Sequence, residues 1–437
     1  MDPRVIADHP QRYALANELH ARPFPEIKAP CRAVHLTIIS EDGADRDAEL
    51  DRAHLRTLLD RYGAQHPSPD ANHYFGSLGT TTLKWERHTE FVSYTLFASG
   101  VSDQPYDGAT MRIFPEDWLA EAPGKVLTSA LVRVEVVKDM DEAEERLRTT
   151  VPRHFSTESL AAARVVDDSA LVFSDFRIHE QGQVRIGALF TPEVGPRRTG
   201  RIVQRLLEIE TYKAASMLTL PVARDVASKV NQLDRELSQL VRQMAGSKST
   251  QEDADSLERL LEMSADLEAL SANSAFRFGA GGAYAAIVGQ RIDVLREVRA
   301  AGRQTLSEFM MRRFDPAMRT CRSAERRLTE LAARCERAAN LLRTRVDVRL
   351  AQQNRTLLES MDRRAALQLR LQETVEGLSV VAISYYAVSL AGYLLAPAAD
   401  AFGISKNAIV ALVTVPVILL VWSFVRSIRQ RIAKREV

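Results

Sequence analysis

The sequence predicts an α+β or α/β domain, then long helices, then two membrane-spanning helices. Three observations carry that expectation. Strand-like runs alternate with short helical patterns over residues 1–198. Proline is scarce from about 200 to 372, where Leu, Ala, Arg, Glu and Gln dominate. Two long uncharged apolar runs close the chain.

The strand-like runs of the first region are RAVHLTIIS (32–40), TTLKWERH (81–88), EFVSYTLFA (90–98), SALVRVEVV (129–137), SALVFSDF (169–176) and QVRIGALFT (183–191). Helical patterns fall between them at 48–63 and 140–149. The second region, 199–372, reads as a helical stalk. A first helix ends near Pro221, a second covers about 222–245, and a third covers about 252–272 after the polar break GSKSTQED. GAGGA at 279–283 lacks the Lys-Ser/Thr of a phosphate loop, so a helix crossing or a turn is expected there. From Cys321 the apolar or small positions Ala324, Leu328, Leu331, Cys335, Ala338 and Leu342 recur in a three-four alternation, the seam of a coiled coil. The seam shifts by one residue to Val346 and Leu350 and continues near Leu357 and Met361. Pro316 marks a helix start or kink, and one helix is expected to run from there into the first apolar run.

The apolar runs are GLSVVAISYYAVSLAGYLLA, within a span set at 373–396, and AIVALVTVPVILLVWSFV, within a span set at 408–426. Each is long enough to cross the hydrocarbon layer as a helix. A short loop (397–407) joins them and a basic tail (427–437) follows. Arg363, Arg364 and Arg370 precede the first span; Arg426, Arg429, Arg431, Lys434 and Arg435 follow the second. Positive charge stays on the cytoplasmic side, so both termini are expected inside a bacterial inner membrane. No secretory signal is visible in the first thirty residues. Three cysteines, Cys31, Cys321 and Cys335, form an odd and sparse set that suits a reducing compartment.

Charge gives no reason to expect a nucleic-acid partner: Lys plus Arg is 58 and Asp plus Glu is 57. All 9 histidines lie between His9 and His179, so any histidine chemistry belongs to the first domain. The densest cluster is WERHTEF (85–91). Strand alternation points Trp85 and Arg87 one way and Glu86 and His88 the other. Glu86 and His88 are then a candidate base and partner or two metal ligands, with His73 as a possible third. The plainer account is a hairpin turn with cross-strand pairing of Glu86, Arg87 and Glu90. Two ligands make a weak metal signal, so no metal, catalytic or cofactor-binding residue is assigned and no cofactor is named. A second cluster lies in residues 9–26, where His20 and Arg22 flank the end of an expected docked helix that Pro23 stops. In the first span, Ser379, Ala382, Tyr386, Ser389 and Tyr393 form one small-and-polar stripe, with Glu376 at its cytoplasmic mouth. Such a stripe either packs helices or lines a path.

The stretches ELHARP (18–23), LKWERHTEF (83–91), RLLEIETY (205–212) and TVEGLSVVAISYY (374–386) resemble a bacterial family of membrane-anchored proteins known only as a domain of unknown function. The resemblance implies an inner-membrane protein and brings no activity or site residues. The layout is also similar to that of CorA-type magnesium channels, but the Gly-Met-Asn signature of that family is missing where this chain reads GYLLAPAAD (392–400). The expected role is a scaffold, sensor or interaction protein that presents a cytoplasmic domain. Its partners are the bilayer, further copies through the stalk and spans, and a protein bound by the first domain. A CorA-like cation pathway and a membrane-anchored enzyme are the alternatives, and the reading leans away from an enzyme.

Overall fold

The computed structural model describes residues 6–18, 24–40, 46–246, 249–402 and 405–433. The elements in chain order are α1 (Arg12–Glu18), β1 (Cys31–Ile39), α2 (Ala48–Arg61), β2 (His73–Leu78), β3 (Thr81–Arg87), β4 (Phe91–Ser99), α3 (Glu116–Ala120), β5 (Lys125–Val136), α4 (Met140–Thr149), β6 (Ala161–Val165), β7 (Ala170–Ile178), β8 (Val184–Phe190), α5 (Pro196–Met217), α6 (Thr219–Gly246), α7 (Thr250–Asp293), β9 (Val298–Arg299), α8 (Leu306–Arg313), α9 (Asp315–Phe402) and α10 (Lys406–Ala433). The fold class is mixed α+β: one nine-stranded sheet, then long helices. The chain divides into two compact units, Met1–Ser247 with Asp255–Ala339 and Lys248–Ala254 with Asn340–Val437.

The six strand-like runs of the sequence are β1, β3, β4, β5, β7 and β8, and the two short helical patterns are α2 and α4. Local chemistry fixes the helix starts. Asp47 caps α2 by accepting from the Glu49 and Leu50 amides, and Asp139 caps α4 by accepting from the Glu142 amide. Pro196 opens α5 at a position whose amide needs no partner. Three strands were not expected. β2 is a Gly-containing edge strand, β6 is rich in alanine, and β9 is two residues long. None carries the alternating or β-branched pattern that marks a strand.

The sheet runs β2-β3-β4-β1-β5-β8-β7-β6-β9. All pairings are antiparallel except β5 with β8. One face is apolar. Val34, Leu36, Leu83, Trp85, Tyr94 and Leu131 meet Leu55, Leu58 and Leu59 of α2, Trp118 of α3 and Leu147 of α4. The opposite face carries His35, Thr37, Lys84, Ser93, Thr95 and Thr128, all buried although polar. α5 covers it, with Gln204, Glu210 and Thr211 bonded to Lys84, Thr128 and His35.

The helices beyond α5 meet the expectation in one place and depart from it in another. First, GAGGA is the helix crossing rather than the turn, and α7 runs through it. There α7 crosses the start of α6 so closely that a Cβ on Gly281 would stand 2.0 Å from Thr219 Oγ1. Second, residues 294–305 leave the helical pattern and return to the sheet, where Val298 and Arg299 pair with Arg164 and Ala163. The seam residues from Cys321 to Leu342 are buried. Within the first unit, Arg327 bonds Asn231 at 2.6 Å, Arg334 bonds Asp234 at 2.5 Å, and the Cys335 thiol donates to the Leu260 carbonyl at 3.5 Å. From Cys321 to Ala338, within the first unit, the seam therefore lies against α6 and α7 of the same chain.

α9 starts at Asp315 with Pro316 in its first turn and continues through Pro397. The second unit contains two helical stretches long and apolar enough to cross a membrane, within Asp315–Leu395 and Asn407–Ser427. Of their most apolar windows only 6% and 0% are buried. Gly392 lies against Val410 where the two stretches pack.

Candidate functional site

β3 and β4 pair in register from Thr82 with Phe97 to Arg87 with Val92, and the His88 amide closes the turn on the Phe91 carbonyl at 2.8 Å. WERHTEF is therefore a hairpin tip. Its side chains separate as strand alternation requires. Trp85 enters the apolar core. Arg87 stays on that side, 3.3 Å from the buried Asp51 and 3.0 Å from the Arg46 carbonyl. Arg46 also grips Asp51 and the carbonyls of Ile38 and Pro123. Glu90, buried, pairs with Arg277 of α7, and the Tyr284 hydroxyl is held up in pKa by burial and by its bond to Glu90. These contacts fasten the hairpin to α2 and α7.

Glu86 and His88 face the other way, into a cavity of about 210 Å³ between the polar sheet face and α5. The floor is His35 with hydroxyls around it. Its Nδ1 lies 2.8 Å from Thr95 Oγ1, and its Nε2 lies 2.8 Å from Thr211 Oγ1 and 3.0 Å from Thr37 Oγ1. Burial first, then the charges of Lys84 and His88, lower the His35 pKa to about 3, so the ring is neutral. One nitrogen donates and the other accepts within this hydroxyl set. The buried Lys84 ammonium donates to Gln204 Oε1 at 2.8 Å and pairs with Glu86 at 2.9 Å. Gln204 donates to Glu208, which pairs with Arg291 of α7. His88 lies over Phe91, ring centroids 4.5 Å apart, with the edge of Tyr212 6.2 Å away. Ser93 is buried at the cavity, and among the described residues its hydroxyl has no protein hydrogen bond.

The cavity thus holds the Lys84–Glu86 and Arg291–Glu208 pairs, the neutral His35 ring, the His88 imidazole, several hydroxyls and an aromatic wall. Because Lys84 and Arg291 are each paired with a carboxylate, neither is left free to serve as a counter-charge for a ligand. The chemistry suits a small, net-neutral molecule that can accept and donate hydrogen bonds. Among the described residues, no group of three or more His, Cys, Asp or Glu side chains is placed to hold a metal ion. His73 is the cross-strand partner of Glu86 on the edge strand.

His20 and Arg22 lie outside the described residues. In the helix before them, α1, the side chains of Tyr13 and Leu15 are exposed. Sequence reasoning singled out Glu86 and His88 but missed His35, Lys84, Gln204, Glu208, Thr211, Tyr212 and Arg291. A signal for several of them was present. LKWERHTEF supplies Lys84, Glu86, His88 and Phe91, and RLLEIETY supplies Leu207, Glu208, Thr211 and Tyr212. These two stretches, far apart in the chain, form facing walls of one cavity.

In the second unit, Glu376 accepts from Gln372 at 3.4 Å and the Ser379 hydroxyl donates to the Val375 carbonyl at 2.8 Å. Tyr386 and Tyr393 are 73% and 79% exposed, and Ser389 is half-buried. The hairpin of the two apolar stretches uses the side bearing Ser384 and Gly392, so the tyrosines point away from it.

A family model described as "Protein of unknown function (DUF3422)" matches residues 7–432. Neither the curated proteins nor the solved structures include a match to the chain.

Proposed function

We propose that this chain, which belongs to the DUF3422 family, is an inner-membrane-anchored sensor whose cytoplasmic α+β domain binds a small, net-neutral polar ligand. The observation that carries the binding half is the meeting of the LKWERHTEF and RLLEIETY stretches in one polar cavity. Glu86 already spends an oxygen on Lys84, and His88 lies against aromatic rings, so the arrangement favours holding a molecule over proton transfer. The anchoring half rests on two apolar helical stretches that are almost bare of protein cover. Basic residues flank both on the side of the termini, and the connection between them holds Lys406 against Asp400, which supports cytoplasmic termini.

The test for anchoring is extraction of native membranes with alkaline carbonate. Retention in the pellet is expected; release into the supernatant would end the anchored reading. The test for binding is thermal unfolding of the detergent-solubilised full chain with glycine, glutamine or glucose, and with phosphate as the charged control. A net-neutral probe should raise the midpoint, and Ser93→Ala should remove the rise. A rise with phosphate alone would refute the net-neutral assignment.

A further inference from the structure

Among the described residues, the second unit contains a long stretch of helix whose residues are all exposed. Arg345 and Arg349 still reach Asp253, but every residue from Leu350 to Val375 is exposed. The sequence of that length is not that of a solvated helix. Starting at Leu350, a three-four alternation holds to Leu378. Its apolar members are Leu350, Leu357, Met361, Leu371, Val375 and Leu378, between 46% and 67% exposed. Asn354, Arg364 and Gln368 fill the remaining seam positions. The positions flanking the seam, including Leu358, Ser360 and Leu367, carry no charge at all. Arg355, Glu359, Asp362, Arg363, Arg370, Glu373 and Glu376 all fall on the remaining side. A helix facing water on every side places charges all round. This one admits a single charge, Arg364, to one face, much as a helix does where another helix packs. The same spacing earlier in α9, Cys321 to Leu342, is a buried interface.

The face does not stop at the apolar span. After a single four-four step at Val375 the alternation continues through Ser379, Ala382, Tyr386, Ser389 and Tyr393. The hairpin with α10 leaves the tyrosines of this stripe uncovered. One face of one helix is thus apolar beside water and hydroxyl-bearing beside lipid. A soluble protein could cover only the first part. Lipid tails could cover only the second, and leave its hydroxyls without partners.

We infer that the occupant is α9 of a second copy of this chain, parallel and in register from Leu350 to Tyr393. A second α9 is a helix of matching character at every depth. Both copies enter the membrane from the same side, so the pair is parallel. In register, Asn354 meets Asn354 and Gln368 meets Gln368, polar pairs that fix alignment at a cost in stability. Arg364 meets Arg364, which keeps the association weaker than the apolar positions alone would make it. The inference rests on the anchored reading, because the shared bilayer sets the direction.

The experiment is cysteine cross-linking of the full chain in native membranes, with the anchoring of every variant checked by alkaline extraction. Cys31, Cys321 and Cys335 are buried, so the unmodified chain should give no cross-linked band. Leu357→Cys and Met361→Cys should give a two-chain band on oxidation, and Glu359→Cys, exposed on the charged side, should not. Arg364→Leu should increase the band from Leu357→Cys at limiting protein. An alkali-resistant chain with no band at residues 357 and 361, or an equal band at 359, would overturn the self-association and leave the anchor standing. Release by alkali would overturn the anchor and with it the parallel pair.

Discussion

His35 offers a quantitative test of the cavity. The unfolded chain binds a proton at this ring near pH 6.5, and the folded chain not until about 3. Between those values the unfolded state holds more protons, so stability falls as the pH falls. Above 6.5 the ring is neutral in both states and its contribution is fully present. Each pH unit inside the window is worth about 1.4 kcal/mol. Acidification from pH 6.5 to 5.0 should therefore remove about 2 kcal/mol through His35 alone, a large part of a typical net stability of about 5–15 kcal/mol. His54, which burial also lowers, adds in the same direction. His35→Gln keeps a donor and an acceptor near Thr95 and Thr211 and cannot titrate. Its unfolding free energy should start lower and then fall less steeply, by about 1.4 kcal/mol per unit, with the His54 part common to both proteins. The assay is urea unfolding of the full chain in detergent at fixed pH, followed by tryptophan fluorescence in a Trp422→Phe background. Trp85 and Trp118, both fully buried beside the sheet, then supply the signal. Equal slopes for the two proteins between pH 6.5 and 5.0 would refute the claim that His35 is held neutral by burial.

Other consequences can be checked on the same preparation. Asp51→Asn leaves buried Arg46 without its counter-charge and should cost about 3–5 kcal/mol, read as a drop in the urea midpoint; a loss under about 1 kcal/mol would mean that solvent reaches the pair. Neighbouring glycines in α7 should respond with opposite signs. Gly281→Ala drives a methyl into Thr219 and should destabilise by about 1–3 kcal/mol, whereas Gly282→Ala meets nothing within 4 Å and should stabilise by about 0.5–1 kcal/mol. Cys31, whose pKa burial raises to about 12, and the buried Cys321 and Cys335 should stay unreactive to a thiol reagent until urea unfolds the domain; fast labelling of the native chain would refute their burial.

Much of the fold was legible because its strongest signals are local. β1, β3, β4, β5, β7 and β8 carry runs of β-branched and aromatic residues, and α2 and α4 carry capping aspartates. β6 and β9 were not legible, since AAARV and VR acquire strand geometry only by lying beside a neighbour. The opposite outward and inward directions of Trp85 and Glu86 followed from the two-residue period of a strand. The rest of the cavity did not follow. His35, Lys84, Gln204, Glu208 and Arg291 come from four elements distant in sequence, β1, β3, α5 and α7, and only the tertiary fold brings them together. The glycines of α7 were legible as a crossing but not as an uninterrupted helix, because a Gly-rich stretch reads as a breaker unless the neighbour it admits is known.

The two residues of β9 have a consequence for how the chain is made. They pair with β6 and come more than a hundred residues after it. During synthesis the alanine-rich strand emerges early and its outer edge has no partner until residues 298 and 299 follow. An open strand edge is a template for pairing with other chains. A nascent chain stalled or cut after α5 would contain eight strands and a sticky rim, and would be a substrate for holding factors and proteases. Completion of the sheet thus coincides with arrival of the helices that lead into α9. Only chains that extend past α7 can close their own sheet.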